Sequence, residues 1–303
     1  MELVLSNFAA GHRPLTKCVG KGAKLFMSES LDVLKLRVLL CFLNEEPKTC
    51  TVTGLAGVLG EGKQKVSRML MALEREGLLD RSDPRRPCLT EAGRARAAYY
   101  EERTNVVLNH LLYEGLDIDS ALHDAYAWAL MSSDEGMALI RSSERRYRAK
   151  YELRRQSEFG GAELCRRLGD GEYRFPFLIY KEYVSGGTNL SMANEGFAHP
   201  CTLAVSDGVG MVCLRPADLS ARSQMTGREM NGRVRRLMYL DGSTFASAYD
   251  DGSTISFPAR TLHFLNIGSG VGQILHGSVC LRMQCSVGTK HMPESTAIFT
   301  ILI

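Results

Sequence analysis

No stretch of eighteen apolar residues occurs anywhere in this chain, and a membrane-spanning helix needs about that many. The segment from Met1 to Met27 also lacks the continuous apolar run, closed by small residues, that marks a secretory signal. The expected compartment is therefore the cytoplasm, with no membrane partner. A C-x-x-C pair is missing too: the nine cysteines, an odd number scattered from Cys18 to Cys285, read as reduced thiols and not as a disulfide framework. Net charge is scarce, and +3 alone does not identify a nucleic-acid partner. No arrangement of serine, histidine and acid can be picked out, so the chain is not expected to be an enzyme; a small enzyme within the C-terminal region is the weaker reading. Gly268-Ser269-Gly270-Val271-Gly272 has the glycine density of a phosphate cradle. No helical pattern follows it and no Lys-Ser or Lys-Thr closes it, so it reads as a hairpin turn.

What is present is length and an ordinary balance of residues. The 303 residues, 45% apolar and 23% charged, suit two or three compact soluble units and no fibrous or disordered class. The distribution of charge says more than its sum. Residues 1–100 carry sixteen Lys or Arg against eleven Asp or Glu, and Arg141 to Arg155 sets seven basic residues against two acidic ones. Each run alone could be a solvated helix face, and only the neighbouring pattern gives it meaning.

The pattern predicts a multidomain α+β chain with four parts. Residues 1–28 have weak periodicity and read as an N-terminal arm, with Met27, just before Ser28-Glu29-Ser30, as an alternative start to Met1. Residues 29–96 read as a winged helix-turn-helix. An apolar helix over Leu31 to Leu43 is followed by a short helix capped by Thr51, with Val52, Leu55, Ala56 and Leu59 at helical spacing. After the turn Gly60-Glu61-Gly62, a third helix runs to Glu76 and is closed by Gly77, with Val66, Met69, Leu70 and Leu73 on one face. Leu78 to Arg81 and Cys88 to Thr90 form the hairpin around Asp83-Pro84-Arg85-Arg86-Pro87. Residues 97–158 read as a helical dimerisation region, its helices starting at Thr90, at Asp117 or Asp119, and at the capping box Ser132-Ser133-Asp134-Glu135. Residues 159–303 read as an all-β, barrel-like sensor or assembly domain. Its candidate strands are Phe175 to Val184, Thr202 to Val205, Gly210 to Arg215, Val234 to Leu240, Thr261 to Ile267, Ile274 to Cys285 and Ala297 to Ile303.

Reading a duplex needs a helix packed on one side and offering donors on the other. On the third helix Lys63, Gln64, Lys65, Ser67 and Arg68 lie off the apolar stripe. Gln64 and Arg68 can bond adenine and guanine edges in bidentate fashion, whereas Lys63, Lys65 and Ser67 suit phosphates. Arg81, Arg85 and Arg86 are placed by the hairpin for backbone or minor-groove contact. The alternative is a protein-binding or effector-binding scaffold module whose winged helix makes protein contacts.

The strings V-T-G-L-A, K-Q-K-V-S-R-M-L, L-E-R-E-G-L-L and L-T-E-A-G-R between Thr51 and Arg94 resemble winged-helix repressors broadly, including the multiple-antibiotic-resistance regulator family. Gly115-Leu116-Asp117-Ile118-Asp119, His123-Asp124-Ala125, Trp128 and Met131-Ser132-Ser133-Asp134-Glu135 are similar to the dimerisation region of the diphtheria-toxin-repressor family of iron- and manganese-dependent transcription regulators. The resemblance covers about residues 30–140. It implies a cytoplasmic homodimer on double-stranded DNA with a palindromic operator. It also implies a loss: where that family places metal ligands, this chain has Arg103, Val107, Leu122, Tyr126, Ala129 and Leu130. The inherited divalent-metal site is therefore expected to be gone, and the sequence names no other cofactor or effector. His110 with Glu114 and His123-Asp124 could make a shifted site, and His199, Cys201, His276, Cys280 and Cys285 are metal-capable types, but none has tight ligand spacing.

Overall fold

The computed structural model describes residues 31–184, 186–217, 219–222, 229–287, 290–291 and 294–303. The N-terminal arm, and with it the choice between Met1 and Met27, lies outside the described residues. The chain divides between Glu144 and Arg145 into two compact units. That seam falls within a helix, whereas the sequence placed seams at residues 96 and 158.

In the first unit, α1 (Leu31–Asn44) is buried along most of its length, through Leu34, Leu36, Val38, Leu39, Leu40 and Cys41, as a nearly all-apolar helix requires. Helix α2 (Val52–Leu59) starts where the Thr51 hydroxyl accepts the Gly54 N–H at 3.2 Å, and it ends at Gly60 with φ of 69°. Helix α3 (Lys63–Arg75) buries Val66, Leu70 and Leu73 against α1 and α2. Each of those side chains contributes about 1.5–3 kcal/mol by leaving water. Its exit is a Schellman turn, with Gly77 at φ of 72° and the Leu78 N–H returning to the Leu73 carbonyl at 2.9 Å.

The hairpin that follows is short: β1 (Leu79–Asp80) pairs with β2 (Cys88–Leu89), placing Leu79 opposite Leu89. Thr90 then caps α4 (Glu91–Tyr113), its hydroxyl accepting the Gly93 N–H at 3.0 Å. Gly93 sits so close to the hairpin that a Cβ there would stand 1.9 Å from the Leu78 carbonyl oxygen. Of the two caps the sequence left open, Asp117 is the one used: it accepts from the amides of Ser120 and Asp119 and opens α5 (Ile118–Met131). The Ser120 N–H holds the Asp117 carboxyl below the usual carboxylate range. Ser133 opens α6 (Asp134–Leu153) by accepting the Gly136 N–H at 3.1 Å.

The second unit takes the part of α6 from Arg145 and continues through β3 (Glu158–Gly160), α7 (Gly161–Leu168), β4 (Gly171–Phe175) and β5 (Phe177–Lys181). After a 3₁₀ turn come β6 (Phe197–Ser206), β7 (Val209–Pro216), β8 (Leu219–Arg222), β9 (Glu229–Asp241), β10 (Thr244–Ser247), β11 (Tyr249–Asp250) and β12 (Ile255–Pro258). The chain ends with β13 (His263–Ile267), β14 (Ile274–Val287), β15 (Lys290–His291) and β16 (Ser295–Leu302). One sheet has five strands in the order β11-β12-β7-β6-β4. The other has nine, with β10-β9-β14-β13-β3 as its main path and β16 joining β14 to β5.

All the pairings are antiparallel, and the two sheets face each other across one core, where Phe257 of β12 meets Phe299 of β16 edge-on at 5.5 Å. The sheets are open, so the barrel-like expectation gives way to two facing layers among the described residues. Alternating apolar residues serve either architecture equally well; only edge pairing decides. Pro176 divides the strand expected over Phe175 to Val184. Lacking an N–H, it ends β4 in one sheet and lets β5 begin in the other. Gly268 to Gly272 is the turn joining β13 to β14, as its sequence indicated.

Candidate nucleic-acid interface

Helix α3 presents Lys63, Gln64 and Arg68 exposed and Ser67 half-buried, at spacings that share one face, with Val66, Leu70 and Leu73 buried behind them. Gly62 precedes the helix with no side-chain hydrogen bond to its first turn. Lys65 differs from its neighbours: its ammonium is held by Glu61 at 2.9 Å, one turn earlier.

The hairpin arginines separate into two kinds. Arg85 and Arg86 are exposed at the tip, in a turn set by Asp83, whose carboxylate accepts the Arg85 N–H at 2.9 Å and whose carbonyl accepts the Arg86 N–H at 3.0 Å. Arg81 does not join them. Its side chain is only 17% exposed, and it turns back onto α3 to bond Glu74 at 3.1 Å. The sequence read Arg81 as one of three equivalent donors because it did not register Glu74, seven residues earlier, on the exposed flank of α3. Lys35 likewise pairs with Glu76 at the same end of the helix. Helix α3 is therefore cationic and, apart from Lys65, open at its N-terminal half, and ion-paired at its C-terminal end.

The positions where the resemblance predicts lost metal ligands form a junction of another kind. Val107 and Ala129 are buried, and Leu122, Tyr126 and Leu130 are half-buried. Arg103 is buried, and its guanidinium is almost fully committed. Its Nε donates to the Ala129 carbonyl at 2.8 Å, one terminal nitrogen to the Tyr99 hydroxyl at 2.9 Å and the Asp134 carboxylate at 2.7 Å, and the other to the Ser132 carbonyl. A cationic side chain thus ties α4 to the end of α5 and the start of α6. On the outer surface of these helices Trp128, Met131 and Leu139 are exposed.

The metal-capable residues of the second unit are dispersed. The His199 ring stacks on Phe177 at 3.9 Å with Nε2 at 3.2 Å from the Asn194 carbonyl, and the Cys201 thiol points to the Phe175 carbonyl. Among the described residues no three His, Cys, Asp or Glu side chains converge. Burial pushes the thiols of Cys41 and Cys201 up to about 12 and those of Cys50 and Cys165 up to about 11. Cys88, on the hairpin strand β2, is exposed. Iodoacetamide at pH 8 is therefore expected to label Cys88 in the native protein while sparing these four, which react only after unfolding; peptide mapping reads the result. Labelling of Cys41 at the rate of Cys88 would contradict the burial described.

No family model matches this chain, and no curated protein matches it. Among solved structures, the manganese regulator SloR is similar at 11% identity with a TM-score of 0.31, covering 77% of this chain and 100% of its own. The IdeR protein of T. acidophilum is similar at 14% identity and a TM-score of 0.30, covering 68% and 93%. The heme-bound NEAT5 domain of IsdX2, a B. anthracis hemophore, is similar at 14% identity and a TM-score of 0.29, covering 44% and 96%. At identities of 11–14% and TM-scores near 0.3 these likenesses confer no family membership.

Proposed function

We propose that this protein is a sequence-specific DNA-binding transcription regulator acting as a homodimer on a palindromic duplex site. The observation that carries the reading is the exposed face of α3, where Lys63, Gln64, Ser67 and Arg68 stand in front of three buried apolar residues. Cations at a helix N-terminus oppose the helix dipole, an arrangement that favours an anion placed just beyond them. In this reading Gln64 and Arg68 meet base edges, Lys63 and Ser67 meet phosphates, and Arg85 and Arg86 reach the backbone beside the helix. Arg81, held by Glu74, positions the root of the wing. Trp128 and Met131, exposed and three residues apart on α5, support a second copy as the partner of that helix, since large apolar side chains gain by being covered.

Selection from a random duplex library in chelator-containing buffer, followed by fluorescence polarisation on the selected site, tests the proposal. Arg68→Ala is expected to weaken binding by about 1–3 kcal/mol and to relax preference at one base pair of each half-site. A failure to enrich any sequence, or equal binding by Arg68→Ala, would favour the protein-contact reading of the same fold.

A further inference from the structure

The part of α6 in the second unit is clamped to the turn between β13 and β14. Ala149 and Leu153 are buried in the core of that unit. Lys150 donates to the Gln273 carbonyl at 3.1 Å, and the Gln273 amide returns to the Lys150 carbonyl at 3.1 Å and to Asn266 at 3.0 Å. Asn266 in turn donates to the carbonyls of Leu153 and Gln156.

Two cations on this face have no carboxylate partner among the described residues. Arg146 stands one helical turn before Lys150; its Nε is shielded from solvent and donates to nothing among the described residues. The Lys150 ammonium is pushed below its ordinary range by burial and then by the charge of Arg146, with no carboxylate acting on it. The contrast is with Arg146 alone: Arg145 donates to the Asp170 carbonyl at 2.7 Å, and Arg154 bonds the Tyr151 carbonyl at 2.6 Å while stacking on that ring, as Lys150 bonds the Gln273 carbonyl. An idle buried N–H destabilises the fold, and a half-buried pair of like charges adds to that cost. A partner with several acceptors and a negative charge would remove both costs. The adjoining turn has the backbone for close approach, with Gly268 and Gly270 at φ of 77° and 59°.

We infer that the second unit binds a small tetrahedral oxyanion, inorganic phosphate or a phosphate monoester, at the face of α6 carrying Arg146 and Lys150, beside the Gly268–Gly272 turn. The arginine fork supplies paired donors and the lysine a point charge. The site stands apart from DNA reading and gives the β unit a ligand class of its own.

Calorimetric titration of the full chain with phosphate, methyl phosphate and glycerol phosphate, at ionic strength fixed with chloride, tests it and separates the free ion from its esters. Saturable binding with a dissociation constant on the order of 1 mM is expected for at least one of the three. Arg146→Met is expected to fold, with a melting temperature no lower than the parent's in the absence of phosphate, and to bind about tenfold more weakly. Should it fail to fold, Arg146→Lys, which keeps the charge but loses the fork, is expected to show a similar loss. No saturable heat from any of the three anions up to about 20 mM, twentyfold above that constant, would overturn the inference. Parent-like affinity in a folded Arg146 variant would overturn it as well.

Discussion

Replacing Arg103 by alanine is expected to lower the stability of the first unit by about 2–6 kcal/mol, about 1–3 for each of two carbonyls left without a donor, read as a fall in urea midpoint with an unchanged slope. The size of the effect comes from the acceptors and not from the ion pair. Asp134 is 82% exposed, so its attraction to the guanidinium is largely screened. The carbonyls of Ala129 and Ser132, at the end of α5, take two of the guanidinium's hydrogen bonds, and neither finds a replacement donor in an alanine variant. Asp134→Asn is accordingly expected to cost less than about 0.5 kcal/mol. Arg103→Lys should recover less than half of the loss, because an ammonium cannot span Ala129, Ser132 and Tyr99 in one plane. If Asp134→Asn proved as damaging as Arg103→Ala, the junction would be an ion pair and this account of it wrong.

The second large effect concerns salt. Lys63, Arg85 and Arg86 are exposed and make no ion pair among the described residues, so the homodimer proposed above would bring about six cations to the duplex phosphates. Operator affinity is then expected to fall about 10³-fold between 50 and 200 mM monovalent salt, with a log-log slope near −5. Lys63→Met should reduce that slope by about two for the dimer, one cation per protomer. Lys65→Met should reduce it by less, because Glu61 already neutralises that ammonium. A slope near zero would mean that these cations do not lie on a nucleic acid.

Much of the first unit was legible from single residues. Thr51, Gly60, Gly77 and Thr90 each perform the capping or turn role that their chemistry suggests, because caps act over three or four residues and leave a local trace. The bounds of α3 and its apolar stripe follow from the same locality. What was not legible depends on acceptors that a sequence does not display. Arg103 reads as the loss of a ligand, since its partners are main-chain carbonyls some thirty residues away. Arg81 reads as a free donor because Glu74 meets it only through the Schellman turn. In the second unit the longer strands were recognisable by alternation, but the short strands β3, β8, β10, β11, β12 and β15 were not, nor was the allocation to two sheets; Pro176 is where that allocation is made, and a proline between two β-prone runs is also consistent with one edge strand.

Gly93 has a consequence for how this hairpin can change. With the Leu78 carbonyl lying where a side chain would begin, and with Thr90 bonding back to Gly77, the root of the loop and the start of α4 form a single clasp that admits no added atoms. The tip, from Ser82 to Arg86, is exposed and unconstrained by that clasp. Length can therefore be rewritten at the tip, so an inserted or transplanted loop belongs at Pro84 and not at Leu78 or Gly93.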